Sequence, residues 1–217
     1  MLNDLELQKR VLGALDWEPS VDATRIGVAA NRGVVTLTGQ VPSYAERFAA
    51  ERLIKQVFGV KGLANELEVH LPGDSRRNDT DLVTAAIRAL EWDVQVQSQK
   101  IKVRASNGWL TLEGEVEWQF QRLAAERAVR HLLGVQGVSN LITLTAKVTP
   151  KDLKTRIESA FKRNAELEAS GIKVETRGGT VTLQGSVHSW AERDEAERAV
   201  WAAPGVVAVD DRLAVTV

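Results

Sequence analysis

Apolar residues along this chain alternate between two spacings, and the alternation repeats three times. From Asp4 to Trp17, apolar positions recur every three to four residues, the spacing of a helix with one buried face. Ile26 and Val28 then alternate with polar neighbours, and so do Val35 and Leu37, as in two short strands. Asn31-Arg32-Gly33 between them suits a tight hairpin turn, because Asn and Gly tolerate positive φ. A second helical stripe, Ala50, Ile54 and Val57, runs within about Ser43–Phe58. Leu67 and Val69 mark a last strand. The predicted unit is α-β-β-α-β.

The whole pattern returns at fixed offsets. Gly33 becomes Gly108 and then Gly179, shifts of 75 and 71 residues. Arg47, Arg122 and Arg193 keep the same register, as do Glu51-Arg52, Glu126-Arg127 and Glu197-Arg198, and the Gly-Val pairs at 59, 134 and 205. Coincident landmarks at constant spacing mark an internal triplication. The predicted units are 1–72, 73–146 and 147–217, with seams at Pro72-Gly73-Asp74-Ser75 and Val148-Thr149-Pro150. First helices are expected over about Asp4–Trp17, Asp79–Trp92 and Pro150–Asn164, each with an Asp near its start to cap free N–H groups. Second helices are expected over about Ser43–Phe58, Trp118–Leu133 and Ser189–Ala203, each closed by a glycine. The expected fold class is α+β: three tandem αββαβ two-layer sandwiches, each with a three-stranded mixed sheet and two helices on one face.

Composition narrows the chemistry. The 217 residues are 44% hydrophobic and 26% charged, with a net charge of −1, so no basic footprint points to nucleic acid. No cysteine is present, which excludes disulfides, thiolate metal sites and cysteine nucleophiles. No segment approaches the roughly 18 apolar residues of a membrane span. The N-terminal sequence lacks a secretory signal pattern, so the expected location is cytoplasmic, or periplasmic if a native leader has been replaced.

The run GVVTLTG (33–39), repeated as GWLTLEG and GTVTLQG, superficially resembles a phosphate loop. Its alternation commits the backbone N–H groups to a sheet, so the first glycine closes a hairpin and the second marks a bulge or strand end. His70, His131 and His188 occupy non-equivalent positions without metal-ligand spacing, and no G-x-S-x-G elbow occurs. No cofactor, metal or catalytic residue is expected. Arg47–Glu51, Arg122–Glu126 and Arg193–Glu197 have i,i+4 spacing and read as solvated helix pairs.

The residues resemble the BON domain, a module of bacterial envelope and stress-response proteins. The resemblance rests on G-x-V-x-L-x-G-x-V (33–41, 108–116, 179–187) and on the A-E-R segments (50–52, 125–127, 196–198). It rests also on the ending Gly134, Val135, Val138, Asn140, Ile142, Leu144, where the third copy has Asp211 in place of Asn. It implies the αββαβ fold, no enzymatic activity, and association with phospholipid in osmotic or envelope stress.

Aromatic placement supplies candidate contacts. Tyr44 and Trp190 begin the second helices, with Trp118 one residue earlier in the middle copy, beside Arg47, Arg193 and Arg122. This set is the expected lipid or partner surface, for an anionic phospholipid layer, a protein partner or a second copy; for any one aromatic, packing against the next unit is the simpler reading. Trp17 and Trp92 are expected in the core or at a seam. Trp109 and Leu141 make the open sheet face of the middle unit apolar, and that face is expected to pack against a neighbouring unit or a second chain. The alternative functions are a protein–protein scaffold, a self-assembling protein, or a binder of a small ion or solute at the hairpins.

Overall fold

The computed structural model describes residues 3–145, 152–163 and 171–216. The second predicted seam, and the predicted ends of the third first-helix at Pro150 and Asn164, lie outside them.

Each unit is the predicted sandwich. In the first, α1 (Asp4–Trp17), β1 (Ile26–Asn31), β2 (Val34–Val41), α2 (Tyr44–Gln56) and β3 (Gly62–Val69) follow in order. In the second they are α3 (Asp79–Trp92), β4 (Ile101–Ser106), β5 (Trp109–Val116), α4 (Gln119–Arg130) and β6 (Gly137–Leu144). In the third they are α5 (Leu153–Arg163), β7 (Ile172–Arg177), β8 (Thr180–Val187), α6 (Trp190–Trp201) and β9 (Ala208–Val215). The middle strand of each sheet pairs antiparallel with the first and parallel with the third. The parallel pair needs a crossover, and the second helix supplies it.

Burial follows the periodicities. Leu7, Val11 and Leu15 of α1 and Ala50 and Ile54 of α2 meet Val28, Val35, Leu37 and Leu67 in one core. Equivalent residues build the cores of the other two units. Both helices therefore cover one sheet face and leave the other open.

Local chemistry departs from expectation in four places. First, Asn3 and Asn78 cap α1 and α3, their Oδ1 atoms accepting from the N–H groups of Glu6 and Asp81. Asp4 and Asp79 reach across instead and accept from the hairpin N–H groups of Gly33 and of Asn107 and Gly108. The aspartates thus tie each first helix to its hairpin. Second, Gly39 and its counterparts are neither bulges nor strand ends. Gly39 lies inside β2, paired to Ile26 on one side and Leu67 on the other, with φ +122°. A Cβ there would overlap the carbonyl oxygen of Arg25, so close backbone approach requires the glycine.

Third, α2 ends at Gln56, two residues earlier than predicted, and Gly59 occupies the turn beyond it. Fourth, Trp17 and Trp92 are neither core nor seam residues: they are 89% and 87% exposed. The buried residues of α1 recur every fourth position up to Leu15, and Trp17 lies about 200° further round the helix, on its outer side. Trp92 stands in the same relation to Leu90.

Candidate functional site

The second helices carry most of the predicted site residues, and they meet one another end to end. Tyr44, at the head of α2, packs against the core of the second unit. Burial pushes its phenol up from its ordinary value, and the Glu126 carboxylate acts in the same direction. One turn on, the Phe48 ring stacks under the Arg130 guanidinium, 3.3 Å from ring centroid to Cζ. Arg130 is the last residue of α4. The head of α2 therefore rests on the tail of α4.

The same contact recurs twice. At the head of α6, Trp190 packs against the core of the first unit, and α6 lies against α2. Partial burial pushes the Asp194 carboxyl up, opposed by the charges of Lys55 near the tail of α2, Arg193 and Arg198. At the head of α4, Trp118, Gln119, Phe120 and Leu123 face Arg198, Trp201 and Ala202 at the tail of α6. Unit one thus leans on two, two on three, and three on one. Repeated head-to-tail contacts that close make a ring, here with approximate threefold symmetry within one chain.

The three seams use equivalent positions with different chemistry. Phe48, Leu123 and Asp194 correspond by the repeat offsets, and so do Lys55, Arg130 and Trp201. The pairs are aromatic with cation, aliphatic with aromatic, and anion with cation. A conserved-in-register carboxylate holds each tail residue in place. Glu51 accepts from Lys55 Nζ at 2.9 Å, Glu126 from Arg130 at 2.8 Å, and Glu197 from Trp201 Nε1 at 2.9 Å.

This corrects the reading of Glu51, Glu126 and Glu197 as solvated partners of Arg47, Arg122 and Arg193. Asn65 and Asn140 donate to Glu51 and Glu126, joining the helix to the last strand. Burial pushes the Glu51 carboxyl up, but hydrogen bonds from Lys55 and Asn65 and nearby charge outweigh it and hold the group below its ordinary range. Arg47 and Arg122 donate to the backbone carbonyls of Asn65 and Asn140, and Arg193 pairs with the Asp211 carboxylate at 2.6 Å. These arginines stitch helix to sheet.

The predicted residues are thus divided among different surroundings. Tyr44 and Trp190 fill seams, and Trp118 walls a third seam that stays open. Trp109 and Leu141 lie on the open face of the middle sheet, 43% and 58% exposed, and no neighbouring unit buries them. The Trp109 indole covers Gly137 and donates to Ser139 Oγ at 2.8 Å. Sequence reasoning missed the seam positions 48, 55, 123, 130, 194 and 201. Their signal was variation: they change chemical type from copy to copy while adjacent Glu-Arg landmarks stay constant. Among the described residues there is no cluster of potential metal ligands, and no helix is long and apolar enough to cross a membrane.

Known proteins resemble the chain in sequence. The chain is 29% identical over 143 residues to osmotically-inducible protein Y of Escherichia coli K12, covering 64% of this chain and 71% of that protein. The C-terminal domain of CdsD, a structural protein of the type III secretion system of Chlamydia trachomatis, aligns along its whole length at 11% identity with a TM-score of 0.27, too loose a fit to carry any argument. The sequence pattern of the BON domain matches residues 3–70, 78–146 and 150–217, one match for each sandwich. The chain belongs to the BON domain family, three times over.

Proposed function

We propose that this protein is a non-enzymatic binding module of the osmotic and envelope stress response, which associates with anionic phospholipid surfaces. One observation carries the proposal: two tryptophans stand almost wholly in water at equivalent helix ends. Trp17 closes α1 and Trp92 closes α3, and Val94, two residues on, is 100% exposed. The equivalent residue of the third unit, Arg163, is an exposed cation. A closed head-to-tail ring sets equivalent positions at one level along its axis. That level then carries two indoles and one cation. Indoles favour the boundary between headgroups and hydrocarbon, and each cation near an anionic surface adds about 1 kcal/mol. The similarity to osmotically-inducible protein Y supports the physiological setting.

Co-sedimentation with phosphatidylglycerol vesicles tests the proposal. We expect binding at low salt, weakened by added salt and absent on phosphatidylcholine. Replacing both Trp17 and Trp92 by alanine is expected to weaken it at least about tenfold, with the fold intact because neither side chain is buried. Failure of the unaltered protein to bind anionic vesicles at low salt would overturn the lipid reading.

A second reading rests on a different surface. Trp109 and Leu141 give the middle sheet an apolar open face, which suits contact with a second copy. Light scattering across a concentration series is expected to show a dimer that Trp109→Ala returns to monomer. A protein that stays monomeric at every concentration refutes self-association.

A further inference from the structure

The seam between the second and third units differs from its sisters by one missing ring. Position 44 of the first unit corresponds to 119 of the second and 190 of the third. Tyr44 and Trp190 each push an aromatic ring into the unit they lean on. Gln119 stands in their place, and the aromatic has moved back one residue to Trp118, where the other copies have the capping serines Ser43 and Ser189. In the middle unit no serine caps the helix; the Gln121 side chain accepts from the N–H groups of Glu117 and Trp118, as Glu192 accepts from that of His188.

The exchange leaves a groove of about 390 Å³ where the sister seams are plugged. That volume lies within the range of small-molecule sites, about 300–1,000 Å³. Trp118, Phe120, Leu123 and Trp201 give it aromatic and aliphatic walls. Its polar features are the Gln119 side chain and the Arg198 guanidinium, which pairs with the Glu195 carboxylate. The Gln119 Oε1 atom is buried and has no hydrogen-bond partner among the described residues. A buried acceptor without a donor is unfavourable, and a ligand that supplies the donor relieves it.

We propose that this groove binds a small planar aromatic molecule carrying one hydrogen-bond donor, of the phenol or indole class. The chain itself shows what fits: at the equivalent point its other two seams hold a phenol and an indole, on Tyr44 and Trp190. A free ligand of that shape completes the third seam as those side chains complete theirs. Its ring stacks among Trp118, Phe120 and Trp201, and the Gln119 side chain turns its buried Oε1 toward the groove to accept from the ligand's O–H or N–H. The site is independent of the exposed tryptophans of α1 and α3.

Calorimetric titration of the full chain with indole tests the proposal. Saturable 1:1 binding is expected, about fivefold tighter than that of indene, which has the same shape without the N–H. Gln119→Trp restores the sister-seam residue and should abolish binding while raising the melting temperature. Gln119→Ala removes the acceptor, and indole and indene should then bind equally. Circular dichroism establishes that both variants are folded. Absence of saturable heat with the unaltered protein overturns the proposal. So does binding that survives Gln119→Trp, because the ligand then lies elsewhere, and so does an indole preference that survives Gln119→Ala.

Discussion

Replacing Gly39 by alanine is expected to cost the first unit about 3–5 kcal/mol, enough to unfold it under native conditions. Two effects combine. The backbone at Gly39 has φ +122°, which residues with a Cβ rarely adopt. The new methyl group would also meet the carbonyl oxygen of Arg25, a backbone atom that the β1–β2 pairing holds in place. Neither neighbour can yield without breaking the ladder on one side or the other. Hydrogen exchange followed by mass spectrometry should show lost protection in β1, β2 and β3, with the sheets of the other two units keeping theirs. Gly13→Ala is the control. Gly13 lies within α1 with open space around its Cα, and alanine there should stabilise the unit by about 0.5–1 kcal/mol. Equal denaturation midpoints for the two variants would refute the close-approach argument.

Phe161→Ala is expected to cost the third unit about 3–5 kcal/mol. Phe161 is 2% exposed and sits where Leu15 and Leu90 sit in the other units, packed with Leu153, Ile157 and the buried face of the sheet. Alanine leaves a void lined by branched side chains and strand backbone, which relax only in part. Phe161→Leu, which copies the sister units, should recover most of the loss. Urea unfolding should give an early transition confined to the third unit, with the exchange protection of the first two sheets retained. A single unshifted transition would show that the three cores are not separate cooperative units.

How much of this was legible in the sequence varied with the distance over which residues act. The αββαβ order and the limits of α1 and α3 follow from local periodicity, because Leu7, Val11 and Leu15 announce a buried face without help from elsewhere. Gly39 was visible as a recurrent glycine, but its reason was not, since Arg25 approaches through sheet pairing. Trp17 misled because a large apolar residue at a helix end resembles a core residue until its angle from Leu15 is reckoned. The seams were least legible. Phe48 and Arg130 are 82 positions apart, and nothing in either neighbourhood tells that they meet. Tyr44 and Trp190 stand out as aromatics at helix starts, for which packing against the next unit is the simpler reading; only the three-dimensional arrangement identifies which unit each one fills.

The head-to-tail arrangement has a further consequence for how firmly each seam must hold. The three partners are joined in one polypeptide, so every seam forms within a molecule, at an effective concentration of the order of millimolar. A contact that two separate chains could not maintain at cellular abundance is then closed most of the time. Selection on each seam is correspondingly relaxed. One can rest on a cation over a ring, another on opposite charges, and a third can keep a gap beside Gln119, while the circle as a whole stays shut. Covalent tethering thus leaves individual seams free to diverge toward new tasks.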